Sequence, residues 1–296
     1  MRLLLLTISI LLCAASRLLA ADQPIQVVTG NSVVNDLTVR IAGERFLVTC
    51  LLPAGADAHH YQPVPADLKR LAEAKLVVIN GLGFEGWFEG LASEAGFRGT
   101  VVVASAGIVP LKLEDEHHPG AVVDDPHAFH SLALGVRYAE NIRDALITAA
   151  PADAEGIRNR AATVIAELRR LDAWARKEIA RIPPAQRVLV TNHDALQYFA
   201  RDYGFEVRAP NTVLEDSAPS AKQVAALVEF VKTQGVKGVF LESAKQARVV
   251  EQIAREAGVT VGAELYLDGL GPPGSPADSY GGMFTANVSA IVSALD

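Results

Sequence analysis

From Ala152 to Ile182 the chain has no glycine after Gly156 and no proline before Pro183, and its apolar residues recur at spacings of three and four. Ile157, Ala161, Val164, Ile165, Leu168, Leu171, Ala175, Ile179 and Ile182 form the stripe of an amphipathic helix. About 30 residues at roughly 1.5 Å each would span about 45 Å, the width of a whole domain. Such a helix is either a rigid spine between two lobes or an ordinary surface helix broken near one end.

On both sides of this stripe short apolar runs alternate with helical segments. Strands are expected at Ile25 to Thr29, Arg45 to Leu52, Leu76 to Ile79 and Val101 to Ala104. Helices are expected through Ile41, from Ala66 to Ala74, from Phe84 to Ala95 and from Phe129 to Ala149. After Pro183 the strands resume at Arg187 to Thr191, Glu206 to Arg208, Val236 to Leu241 and Val259 to Glu264. Helices at Asp194 to Tyr203, Ser220 to Thr233, Ala244 to Ala257 and Ser279 to Leu295 lie between and after them. Strands of this kind, alternating with helices, make a parallel sheet covered on both faces. The expected class is therefore α/β in two halves. The two halves share this pattern but no sequence-level repeat. Leu111 to Asp125 breaks the rhythm with the acidic, histidine-bearing stretch Glu114 to His118, which reads as a solvated linker or as a weak ion-collecting loop.

The N-terminus has Arg2, an apolar run from Leu3 to Ala15 and small residues near position 20, the pattern of a secretory signal peptide. The run is too short for a membrane span of about 20 apolar residues. Cleavage after Ala21 would remove two arginines and no acid, making an already acidic chain of formal charge -7 more so. An acidic chain without a basic run is a poor partner for nucleic acid and suits cations better. Leu12 stands before Cys13 where a small residue is wanted, so a lipid anchor there is not expected. Cys50 then has no internal disulfide partner and reads as a small hydrophobe in a strand.

Seven histidines fall in four short clusters in or beside expected loops. Imidazole is the commonest protein ligand for zinc and its neighbours. In open parallel α/β sheets ligands bind beyond the carboxyl ends of the strands. His59 follows the strand ending at Leu52, His127 closes the Asp125-Pro126-His127 loop, His193 follows Thr191, and Asp268 follows the strand expected to end near Glu264. With two groups from each half, they would meet between the lobes on one divalent metal ion. Taken singly, any loop histidine is more often a surface or capping residue. Asp125 and Asp194 read as helix caps or as partners orienting an imidazole. His60 and His130 read as bystanders.

Several stretches together resemble the zinc and manganese group of periplasmic substrate-binding proteins of ABC transporters. They are Gly55 to Pro63, Asn80 to Trp87, Asp125 to Phe129, Asn192 to Phe199 and Asp268 to Gly271, followed by Tyr280 and Asn287. The resemblance implies two α/β lobes, each a parallel sheet flanked by helices, joined by one long rigid helix with the metal site in the cleft. The corresponding division is a signal peptide at 1–21, a first lobe at 22–150, a linker helix at 151–184 and a second lobe at 185–296. It implies His59, His127, His193 and Asp268 as ligands, delivery of the ion to a membrane permease, a periplasmic location, and no catalysis. A monomer is expected. The chain departs from the family pattern at Ala58, where proline is usual, at Phe129, where tryptophan is usual, and at Ser131-Leu132, where an acid-proline pair is usual.

Three nitrogens and one oxygen suit tetrahedral Zn²⁺, whereas Mn²⁺ favours oxygen and binds more weakly in the Irving–Williams order. Manganese members of the family often carry Glu at the position of His193. Zinc is therefore the expected cargo, with a manganese carrier as the alternative. A secreted zinc hydrolase using His59, His127 and His193, with Glu242 as general base, is a further alternative.

Overall fold

The computed structural model describes residues 23–56, 61–114, 122–191, 193–209, 221–241 and 247–296. The first half is built on four parallel strands, β1 (Ile25–Thr29), β2 (Phe46–Cys50), β3 (Leu76–Ile79) and β4 (Thr100–Val103), in the order β2-β1-β3-β4. Strand period puts alternate residues on opposite faces. Val27, Leu76 and Val78 enter one core cluster, while Val28 and Val77 enter another with Leu71, Phe88 and Leu91. Helices α1 (Ser32–Ala42), α2 (Pro65–Glu73) and α3 (Phe88–Glu94) connect the strands. Asn31 caps α1 by accepting from the Val33 and Val34 amides, and Val33, Val34, Leu37 and Ile41 give α1 its buried face.

Beyond β4 an antiparallel ribbon pairs β5 (Lys112–Glu114) with β6 (Val122–Asp124). The expected irregular stretch is thus partly ordered by strand pairing, and His117 and His118 lie outside the described residues. A 3-10 turn at Ala128–His130 precedes α4 (Leu132–Ala149), so the helix begins three residues later than its apolar pattern suggests, at its cap Ser131.

The long stripe is α5 (Ala154–Ile179), 26 residues and about 39 Å. Its buried side is Ile157, Ala161, Val164, Ile165, Leu168, Ala175 and Ile179. It is shorter than expected because Ala152 falls in a 3-10 turn and because the residues before Pro183 cannot continue a helix. Arg160, on α5, donates to the Ile41 and Ala42 carbonyls and so closes the end of α1.

The second half holds β7 (Val188–Val190), α6 (Gln197–Tyr203), β8 (Glu206–Arg208), α7 (Ala221–Thr233), β9 (Gly238–Val239), α8 (Ala247–Ala257), β10 (Thr260–Val261) and α9 (Tyr280–Leu295). β7 pairs with β8 and β9 with β10, all parallel, and Phe240 N donates to Val190 O at 2.9 Å. The two pairs form separate two-stranded sheets, and that single hydrogen bond links the end of β7 to the residue after β9. Leu189 faces the large shared core, whereas Val188 and Val190 face a second cluster with Val224, Val228 and Ile253. The strands expected at Val236 to Leu241 and Val259 to Glu264 shrink to two residues each, and Asp268 sits in an irregular segment between β10 and α9. The molecule is therefore α/β with parallel sheets and one long helix flanked by others. No helix among the described residues is long and apolar enough to cross a membrane.

Candidate metal centre

The carboxyl ends of β1 and β3 are tied together by a buried carboxylate. Glu85 accepts from Asn31 Nδ2 at 2.7 Å, Asn80 N at 2.9 Å and Gly81 N at 3.2 Å. Burial pushes its carboxyl up to about 7 despite these donors. A Cβ at position 30 would stand 2.5 Å from Glu85 Oε1, so any other residue there would displace this carboxylate. Asn80 in turn donates Nδ2 to the Pro126 carbonyl at 2.9 Å and accepts from Tyr138. The residue before His127 is thereby pinned to the end of a strand.

His127 is fully buried. Asp125 Oδ1 lies 2.9 Å from both the His127 amide and Nδ1. A carboxylate only accepts, so Nδ1 carries the hydrogen and Nε2 turns its lone pair towards the second half. The Asp125 backbone is fixed as well, its amide on Leu111 O and its carbonyl on the Tyr198 hydroxyl. Burial alone would lower the His127 pKa, but hydrogen bonds to Asp125 and Asp268 outweigh it and the net direction is upward.

His193 follows β7. Its carbonyl accepts from Thr191 Oγ1 and from the Ala195 amide. Its Nε2 lies 3.2 Å from Asp268 Oδ1, and His127 Nε2 lies 3.5 Å from the same oxygen. The two imidazoles stand edge to face with centroids 5.5 Å apart. One nitrogen from each ring and one Asp268 oxygen all lie within 4.8 Å of one another, and no other such group of three occurs among the described residues. Donors about 2.0–2.2 Å from one tetrahedral ion lie roughly 3.3–3.6 Å apart. The separations of 3.2 Å and 3.5 Å to Asp268 Oδ1 are close to that edge length. The set mixes a buried imidazole with two partly exposed groups, so an ion held here would reach solvent on the His193 and Asp268 side.

The fold thus brings together His127, His193 and Asp268, three of the four residues singled out from sequence. His59 lies outside the described residues, as do His60, Asn192 and Glu242. Asp194 binds Gln197 through both carboxylate oxygens. Burial raises its pKa. Cys50 is half-buried, donates to Leu52 O, burial raises its thiol to about 11, and it does not belong to the group of His127, His193 and Asp268. Sequence reading missed Asn80, Glu85 and Tyr198 as supports of the His127 loop. His130, expected as a bystander, lies outside that ligand group, and its buried ring lies 2.8 Å from the Leu267 carbonyl.

The family model described as zinc-uptake complex component A, periplasmic, matches residues 27–294. The chain is 34% identical over 281 residues to a manganese-binding lipoprotein, MntA, of Bacillus subtilis, covering 93% of this chain and 91% of that one. It is 32% identical over 266 residues to an iron-binding protein, YfeA, of Yersinia pestis, covering 90% and 85%. A periplasmic zinc-binding protein of Treponema pallidum, TroA, has a similar solved structure, with a TM-score of 0.84 at 29% identity, covering 92% of this chain and 99% of that one.

Proposed function

We propose, from the premise that this chain belongs to the periplasmic zinc-uptake component A family, that it captures a divalent transition-metal ion outside the cytoplasm and hands it to an ABC permease. The observation that carries this reading is the convergence of His127, His193 and Asp268 at separations suited to one ion. His59 is the proposed fourth ligand, closing the site against a reactive water. Relatives named as metal-binding and transporter substrate-binding proteins favour carriage over turnover. The hydrolase alternative has no such support.

Zinc is the proposed cargo. Three imidazoles with one carboxylate suit it, and the stability order ranks it well above manganese on nitrogen donors. The relatives named for manganese support the manganese alternative equally. The manganese-binding relatives are named lipoproteins, which supports an extracytoplasmic location and counts against the expectation that no lipid is attached. Cys13, outside the described residues, is the residue that would carry it.

Metal-free protein titrated with Zn²⁺ and Mn²⁺ by calorimetry at neutral pH tests both levels. Binding of one equivalent, tighter for zinc and weakened in Asp268→Ala, is expected. Tighter manganese binding overturns the choice of metal, and no binding of either ion overturns the carrier.

A further inference from the structure

His130 belongs to neither the convergent donors nor the apolar core, yet its ring is almost wholly buried. It sits three residues past His127, at the end of the 3-10 turn, and reaches across to the second half of the chain. There its Nε2 meets the Leu267 carbonyl at 2.8 Å. A carbonyl can only accept, so Nε2 carries the hydrogen and donates. Leu267 O and the Asp268 amide belong to one planar peptide unit. The hydrogen bond therefore sets the plane from which the Asp268 side chain departs.

Asp268 needs such support, because residues 262–279 contain neither helix nor strand. On its other side the chain is held two residues later, where Leu270 N donates to Ser32 Oγ at 2.9 Å and Leu270 O accepts from Gly55 N at 3.2 Å. All three contacts come from the first half. On the preceding side Asn287 holds the amide and carbonyl of Tyr266, and His130 holds the Leu267 carbonyl next to Asp268 itself. A neutral imidazole supplies the donor without placing a positive charge beside a cation, which lysine or arginine would do.

We propose that His130 is a positioning residue for cation binding, fixing the Leu267–Asp268 peptide so that the Asp268 carboxylate meets the two ligand imidazoles. This rests on the metal-carrier reading above. It makes His130 part of the same apparatus as Asp125, one holding His127 and the other holding the carboxylate opposite.

The test compares full-length wild type with His130→Leu, His130→Asn and His130→Gln, using zinc competition against a chromogenic chelator and melting of the metal-free proteins. Asparagine stops short of the Leu267 carbonyl, whereas the glutamine amide reaches about as far as Nε2. Zinc affinity should fall on the order of tenfold or more in the Leu and Asn variants, as for other groups that orient a metal ligand, and stay near wild type in Gln. In an Asp268→Ala background the same Leu or Asn change should have little further effect. Folded Leu or Asn variants with wild-type affinity, or an undiminished effect without Asp268, overturn the proposal. If Leu fails to fold, the Asn and Gln pair decides by the same criteria. Failure of wild type to bind zinc or manganese would instead strike the carrier reading itself.

Discussion

One nitrogen of His127 serves two competitors, a proton and a metal ion. Its hydrogen bonds to Asp125 and Asp268 outweigh burial and raise its proton affinity above the ordinary imidazole value of ~6.5. Proton competition should therefore begin above that pH, and zinc affinity should fall steadily from about pH 7.5 to 5. Competition titrations that stay flat over this range would contradict an imidazole-rich site. Asp125→Asn should weaken zinc by roughly 10–100-fold in the same assay, since the amide no longer favours the Nδ1–H tautomer. Unchanged affinity would deny Asp125 its orienting role. His130 makes a separate prediction about stability. Burial drops its pKa to about 3, so between there and ~6.5 the unfolded chain takes up a proton that the folded chain refuses. Its contribution is complete above the unfolded value and is lost as pH falls. Metal-free wild type should lose about 2 kcal/mol more than His130→Leu between pH 7.5 and 5 in urea unfolding, and equal losses would contradict it. His193 stood out because it follows an apolar run that ends a parallel strand, whereas His127 follows an antiparallel ribbon and Asp268 an irregular segment that strand patterning does not mark. His130 did not stand out, because its partner lies 137 residues away and nothing local distinguishes a donor from a bystander.

At the scale of elements, the α5 stripe was legible almost residue by residue, since its period survives 26 residues without interruption. Leu168 lies fully buried in the core shared by both halves. Leu168→Ala should cost about 2–5 kcal/mol, lowering the urea midpoint with little change in slope. A loss below about 1 kcal/mol would mean that the helix is a surface feature rather than the spine. The strands of the second half were over-read because apolar runs such as Val236 to Leu241 continue past the residues that pair. Hydropathy marks what is buried, whereas a ladder also needs a neighbour in register. The placement of Asp268 shows the consequence. The expected strand ends at Val261, and backbone contacts to Ser32, Gly55 and His130 hold the irregular chain that follows.

Across the whole molecule, residues remote in sequence meet, since one core cluster draws on both halves and His127 approaches His193 and Asp268. Tyr280, at the start of the last helix, donates its amide to Asp36 and its hydroxyl to Phe129 O, and so fastens the second half beside the His127 loop. An ion bound by both halves adds to this fastening only in the folded state. Zinc at 100 times its dissociation constant should stabilise the protein by about 2.7 kcal/mol, on the order of 5–10 °C in melting temperature. An unchanged melting temperature would be inconsistent with an ion joining the halves. The most direct measurement is a crystal structure of the zinc-loaded protein with anomalous scattering recorded at the zinc edge. The account predicts one peak about 2.0–2.2 Å from the Nε2 atoms of His127 and His193 and from an Asp268 oxygen, with His59 completing the set. A stoichiometric peak elsewhere, or one that any of the first three residues does not touch, would contradict it.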